Sequence, residues 1–222
     1  MDITWDSEVV AKSLPVLLQG VQMTVEIWAA SFAVGMILGA LLGLGRTSNI
    51  KAVNYLSIAY VEVFRNTPVL IQLIWFYYAF PVLTNYQMSP VLAAFLGLTL
   101  NTSAYCSEIY RSGILSIPRG QWEGAKAIGM TYTQTLKRII YPQVFKRMLP
   151  AFTNRGIELA KMTSLCSVLA VEEIMYKGRL LSSAYYKPLE IFTVVAIIYF
   201  CVIYPGSLFS KYLERRYARF DK

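Results

Sequence analysis

Histidine is absent from this 222-residue chain, and cysteine occurs three times, at Cys106, Cys166 and Cys201, each alone in an apolar or small-residue setting. That pattern excludes zinc-finger spacing and Cys/His nucleophile pairs, and it makes the thiols small buried hydrophobes. No Gly-rich loop ending in Lys-Ser/Thr is present, so any nucleotide hydrolysis would have to come from another chain. Charge is scarce too: 15% of residues, against 56% hydrophobic and 14% aromatic, with a mean hydropathy of +0.46. This is the composition of an integral membrane protein, not of a soluble domain. Acidic residues are the scarcer sign, 13 against 21 Lys and Arg, for a net charge of +8. No basic stripe with interleaved aromatics stands in a separate soluble domain, so the excess reads as contact with anionic lipid and not with nucleic acid.

A bilayer core needs about 20 mostly apolar residues per helix. Five stretches qualify, at about 20–45, 53–80, 90–114, 149–170 and 189–213. The expected fold class is therefore an all-α integral membrane protein with five transmembrane helices in a single domain spanning 1–222. Asp2, Asp6 and Glu8 precede the first span where a signal peptide would carry basic residues, so that span reads as a retained helix. The segment 9–18 is amphipathic and too short to cross, and reads as a piece lying on the outer surface. Arg46 and Lys51, then Lys126, Lys137, Arg138, Lys146 and Arg147, then Lys211, Arg215, Arg216, Arg219 and Lys222 fall on one side if the spans alternate. Positive residues are retained inside, so the N-terminus is expected outside and the C-terminus in the cytoplasm. The nearly balanced segment 172–187 is expected as an outer loop. It is either the contact for a partner protein or a solvated loop.

Between the third and fourth spans lies a polar helix-turn-helix segment, WEGAKAIGMTYTQTLKRIIYPQ at 122–143. Small residues at Gly124, Ala125, Ala127 and Gly129 leave a stripe that another backbone can approach closely, and Gly129 suits a C-terminal helix cap. The alternative is an ordinary amphipathic loop helix. In the first span, Gly35, Gly39 and Gly43 have the spacing of tight helix packing.

Ionisable groups inside spans are costly and mark functional positions or structural pairs. Glu62 and Arg65 sit three apart, followed by Asn66, Thr67 and Pro68, with Gln72 deeper in the same span. They make either a helix break lining a cavity or an ion pair stabilising a kink. Glu108 and Arg111 repeat the spacing and read as a structural pair bracing the polar segment. In the fourth span, Asn154, Glu158, Lys161, Thr163 and Ser164 form a polar run at helical spacing, read either as the lining of a substrate path or as helix–helix hydrogen bonding.

On these residues the chain resembles, over nearly its whole length, the membrane-spanning permease subunits of ATP-binding-cassette (ABC) importers, in the polar amino acid uptake branch. Glu123, Gly124, Ala125, Gly129, Ile139 and Pro142 match the family's EAA loop, here at about 118–142, with Gly124 in place of the usual first alanine and Tyr141 of the usual leucine. VEVFRNTPVLIQL at 61–73, AYCSEIYRSGILSIPRGQWEGA at 104–125 and the run Lys161 to Leu165 in place of a KDTSL-like motif follow in the family's order.

The resemblance implies a type I ABC importer permease fold and a non-catalytic subunit of the bacterial cytoplasmic membrane. Its implied partners are a cytosolic ATPase homodimer that binds ATP and Mg, a second permease chain of the same or a homologous kind, an extracytoplasmic solute-binding protein, and an amino acid substrate. The EAA helix is implied to be the coupling element, and the path to run past Arg65, Asn66, Thr67, Gln72, Asn154, Glu158, Lys161, Met162, Thr163 and Ser164. Relatives often carry an acidic residue where this chain has Met162; either Glu158, one turn earlier, supplies that charge or the partner permease does. No metal, cofactor or catalytic residue is expected in this chain. The competing function is a secondary transporter or channel driven by an ion gradient, for which no inverted repeat is apparent.

Overall fold

The computed structural model describes residues 5–217, and within them every regular element is helical. Asp2, Arg219 and Lys222, counted above in the charge bias, lie outside the described residues. In chain order the elements are α1 (Ser7–Gly45), α2 (Lys51–Asn66), α3 (Val69–Ile74), α4 (Phe80–Thr84), α5 (Pro90–Leu115), α6 (Arg119–Ala127), α7 (Tyr132–Thr135), α8 (Tyr141–Met162), α9 (Ile174–Tyr185) and α10 (Pro188–Tyr217). Wider π turns at Trp75–Ala79 and Leu136–Ile140 join α3 to α4 and α7 to α8, and a 3-10 segment, Thr163–Leu169, follows α8. In both wide turns a proline follows two residues on, Pro81 and Pro142. A proline cannot donate and crowds the carbonyl four residues back; the wider i→i−5 closure, Phe80 N to Trp75 O and Tyr141 N to Leu136 O, absorbs the misfit.

Among the described residues two helices, α1 and α10, are long and apolar enough to cross a membrane, or three if the bent pair α2 with α3–α4 is one span. The expected second span, 53–80, is therefore not one helix. Pro68 fixes its own φ at −58° and forces Thr67 into extended backbone, so the two halves meet at 105°. The segment 9–18 is also not a separate surface piece, because it forms the first turns of α1. One buried stripe, Ser13, Leu17, Gly20, Thr24, Ile27 and Ser31, runs on without a break into Gly35, Gly39 and Gly43. At 1.5 Å per residue this 39-residue helix is about 58 Å long, nearly twice a hydrocarbon core.

The glycine stripe of α1 lies against α5. A Cβ on Gly35 would come within 2.8 Å of the Thr102 side chain, and one on Gly39 within 2.9 Å of the Ser103 carbonyl. The segment 172–187 is no loop but carries α9, with Glu173 as its cap. The Glu173 carboxylate is fully buried and accepts from Met175 N at 2.9 Å, from Tyr176 N at 2.7 Å and from the Tyr199 hydroxyl. Gly20 lets the start of α9 touch α1, and Gly178 receives Val195 of α10. Leu17, Ile174, Ile191, Val194 and Ile198 fill the space between the three helices.

Candidate functional site

Two features stand out, a small exposed helix at one end of the bundle and a line of polar contacts through its middle. The helix is α6. Pro118 sets its entry, and of its nine residues only Ala125 is buried. Trp122, half-buried, packs with Ile117, Ile139 and Ile140 and stacks on Tyr132 at 5.9 Å. The helix ends as Gly129 predicts. Its φ is +76°, Met130 N donates to Ala125 O at 3.1 Å, and Gly129 N donates to Lys126 O at 3.0 Å. These are the two bonds of a Schellman cap. A capping box then restarts the chain: Gln134 N donates to Thr131 Oγ1 at 3.3 Å, and Thr131 N to Gln134 Oε1 at 2.9 Å.

Glu123, Gly124, Gly129 and Pro142 are on the surface, whereas Ala125 and Ile139 turn inward and hold the element to the bundle. Gly120, Gly124 and Gly129 have no atom within 4 Å of where a Cβ would stand. Large side chains border this open face: Ile128 is 75% exposed and Tyr132, stacked on Trp122, 70%. Sequence reasoning singled out the small residues and missed this border. Its signal was Ile128 and Tyr132, large side chains in the mostly polar run 126–135.

On α5, Glu108 gathers three cations. Its carboxylate meets Arg111 at 2.6 Å, Arg46 at 2.6 Å and Arg65 at 3.5 Å, which ties α1, α2 and α5 together. The expected Glu62–Arg65 pair is thus replaced: Arg65 reaches Glu108, and Glu62 accepts from Asn66 Nδ2 at 2.9 Å. Spacing along α2 allows the Glu62 pairing, but α2 packs on α5 and brings Arg65 to Glu108.

The line of polar contacts starts at the break before Pro68. Phe64 O loses its helical donor there and accepts instead from Gln72 Nε2 and Asn101 Nδ2, both at 2.9 Å, while Gln72 Nε2 also reaches Thr67 O at 2.9 Å. Asn101 Oδ1 in turn accepts from Arg155 Nη2 at 2.8 Å, and that nitrogen also reaches Thr102 Oγ1 at 3.1 Å. The Arg155 guanidinium lies 4.3 Å from the centre of the Tyr105 ring, over which Arg65 lies at 5.3 Å, and it pairs with Glu158 at 3.4 Å. Arg155, Asn101 and Tyr105 were not singled out in the sequence, yet they join its candidates into one network.

Of the remaining candidates, Lys161 is exposed and Met162 half-buried on the same side of α8 as Glu158. Thr163 and Ser164 donate back to Ala160 O and Lys161 O, both at 2.8 Å. Asn154 turns away to α10, donating to Glu214 Oε1 at 2.9 Å and accepting from Ser210 Oγ at 2.7 Å. The opposite face of α8 borders an apolar cavity of about 670 Å³ between α1 and α10, lined by Trp28, Phe32, Phe152, Gly156 and Phe209 among others. None of the expected path residues lines it.

The profile of the family described as "Binding-protein-dependent transport system inner membrane component" matches residues 35–219. The L-cystine transport system permease protein TcyB of Bacillus subtilis (strain 168) is 37% identical over 220 residues, 98% of this chain and 93% of that protein. The glutamine transport system permease protein GlnP of Escherichia coli (strain K12) is 32% identical over 217 residues, 97% of this chain and 98% of that protein. A crystal structure of an amino acid ABC transporter with histidines superposes with a TM-score of 0.90 at 30% identity, covering 96% of this chain and 100% of that one.

Proposed function

The chain belongs to the family of binding-protein-dependent transport system inner membrane components, and from that premise we propose that it carries an amino acid inward across the cytoplasmic membrane by alternating access. It is a permease subunit of an ABC transporter, a multi-pass protein of the inner membrane that works with a separate ATPase. The substrate class is drawn from the relatives, whose names specify cystine and glutamine. In this reading the chain crosses five times, through α1, the bent pair α2 to α4, α5, α8 and α10, with the N-terminus outside. The second permease chain, an ATPase homodimer and an extracytoplasmic binding protein complete the assembly, and ATP and Mg belong to the ATPase.

The observation that carries the reading is α6, a capped nine-residue helix with an open glycine face and a border of large side chains, held to the bundle through Trp122 and Ala125. A helix so fixed moves with its neighbours, and the Glu108 cluster ties α1, α2 and α5 of the bundle together. Shifting a two-state equilibrium from 1:99 to 99:1 takes about 5.5 kcal/mol of differential interaction, which a loose element would not transmit. The path is assigned to the polar side of α8 with the break at Asn66 and Thr67, because exposed Glu158 and Lys161 are too costly to face lipid. Transport driven by an ion gradient instead of ATP has no feature of this chain in its favour. The test is uptake in proteoliposomes holding the purified complex. Accumulation that follows ATP and ignores an ionophore is expected; uptake by this chain alone, abolished by the ionophore, would remove the proposal.

A further inference from the structure

Glu158 is the only carboxylate in α8, and it stands where the substrate path is assigned. Its nearest charged partner is Arg155, three residues earlier on the neighbouring row of the helix, at 3.4 Å. The two differ sharply in freedom, since the Glu158 side chain is 58% exposed and that of Arg155 only 2%. Arg155 is held from three sides by groups of α5: Asn101 at 2.8 Å, Thr102 at 3.1 Å and the Tyr105 ring at 4.3 Å. The cation is therefore a fixed part of the bundle, whereas the carboxylate is open to whatever occupies the path. Met162, one turn beyond Glu158, adds no charge, and exposed Lys161 adds a positive one.

We propose that Arg155 determines specificity through Glu158: it cancels the single acidic charge on this side of α8 and so biases the subunit toward amino acids whose side chains carry no positive charge. The inference rests on the assignment of this face as the amino acid path. Arg155 itself is a positioning residue: its guanidinium is covered, so it touches no ligand and acts by its charge, on the carboxylate it holds and on what that carboxylate attracts. Its field sets the size of the effect. A cation seated about 3 Å from Glu158 lies roughly 6 Å from Arg155, and removing a unit charge at that distance, at an effective dielectric near 20, changes affinity by a factor of about ten to a hundred. The same substitution leaves the affinity for a zwitterion with a neutral side chain much less altered.

The test is equilibrium binding of labelled arginine and labelled glutamine to the full-length permease–ATPase complex in lipid nanodiscs, without the binding protein. The wild type is expected to favour glutamine. Arg155→Met should raise the arginine-to-glutamine affinity ratio by about tenfold or more, and adding Glu158→Gln should erase that gain. Arg155→Lys, which keeps the charge, should keep the wild-type ratio. Arg155→Gln, which keeps a donor toward Asn101, gives the same comparison if the methionine variant does not assemble. An unchanged ratio, or an equal loss for both ligands in both neutral variants, would make Arg155 a purely structural residue and overturn the inference. A wild-type complex that binds neither amino acid would remove the path assignment, and the inference with it.

Discussion

One added methyl group on the α1–α5 seam has an outcome the geometry fixes. In Gly39→Ala the new Cβ would stand 2.5 Å from Cys106 Cβ and 2.9 Å from the Ser103 carbonyl oxygen. Neither atom can swing away, since one is the root of its side chain and the other is backbone, so the helices must part. Overpacking of this kind costs about 1–3 kcal/mol, and the better helix propensity of alanine returns roughly 0.8–1 kcal/mol. The net loss, up to about 2 kcal/mol, lowers the melting temperature of a chain of this length by up to roughly 8 °C. Gly124→Ala is the control, because nothing lies within 4 Å of its Cβ. It should leave melting unchanged or raise it by a few degrees, about what propensity alone supplies. Thermal unfolding followed by tryptophan fluorescence in one detergent reads both variants. The reasoning fails if Gly39→Ala melts at or above the wild type, or if both variants shift alike.

Two further substitutions test local devices. Glu173→Ala removes the cap of α9 and its bond to the Tyr199 hydroxyl, so amide hydrogen exchange in 174–185 should speed up by the equivalent of about 1–2 kcal/mol, while exchange in α5 stays as it is. Gly129→Val forces a β-branched residue to φ +76°, at a cost of about 1–2 kcal/mol, and should loosen α6 in hydrogen exchange and lower uptake per ATP hydrolysed.

Several of these features were legible before any coordinates. Gly129 announces a helix end because only a residue without Cβ takes a positive φ cheaply, and Pro68 announces the break because it removes a donor and restrains Thr67. The α1 glycines announce close packing, though not the helix they pack against. Other features were hidden. Arg155 escaped notice because it lies off the i, i+4 row of Asn154 and Glu158, and the one hint was a lone Asn101 in an apolar stretch that needed a partner. The first turns of α1 were cut off because Glu8 and Lys12 lower the local hydropathy, although the buried stripe continues through Ser13 and Leu17. In sequence the α9 segment has the look of a loop because Glu172, Glu173 and Lys177 suggest solvent, whereas Glu173 spends its charge on backbone amides and a tyrosine. The pairing of Arg65 with Glu108 is a tertiary fact that spacing along one helix could not decide.

The role of α6 as the element that transmits force is tested most directly by Gly124→Trp in the reconstituted transporter, with ATP hydrolysis and substrate uptake measured on the same proteoliposomes. The new Cβ meets no atom of this chain within 4 Å, and a variant that melts like the wild type yet loses uptake per ATP loses it where a partner docks. The expected result is a normally folded permease whose uptake per ATP falls at least about tenfold, a loss of roughly 1.4 kcal/mol in coupling. Uptake per ATP equal to that of the wild type would show that the face at Gly124 touches nothing that drives transport.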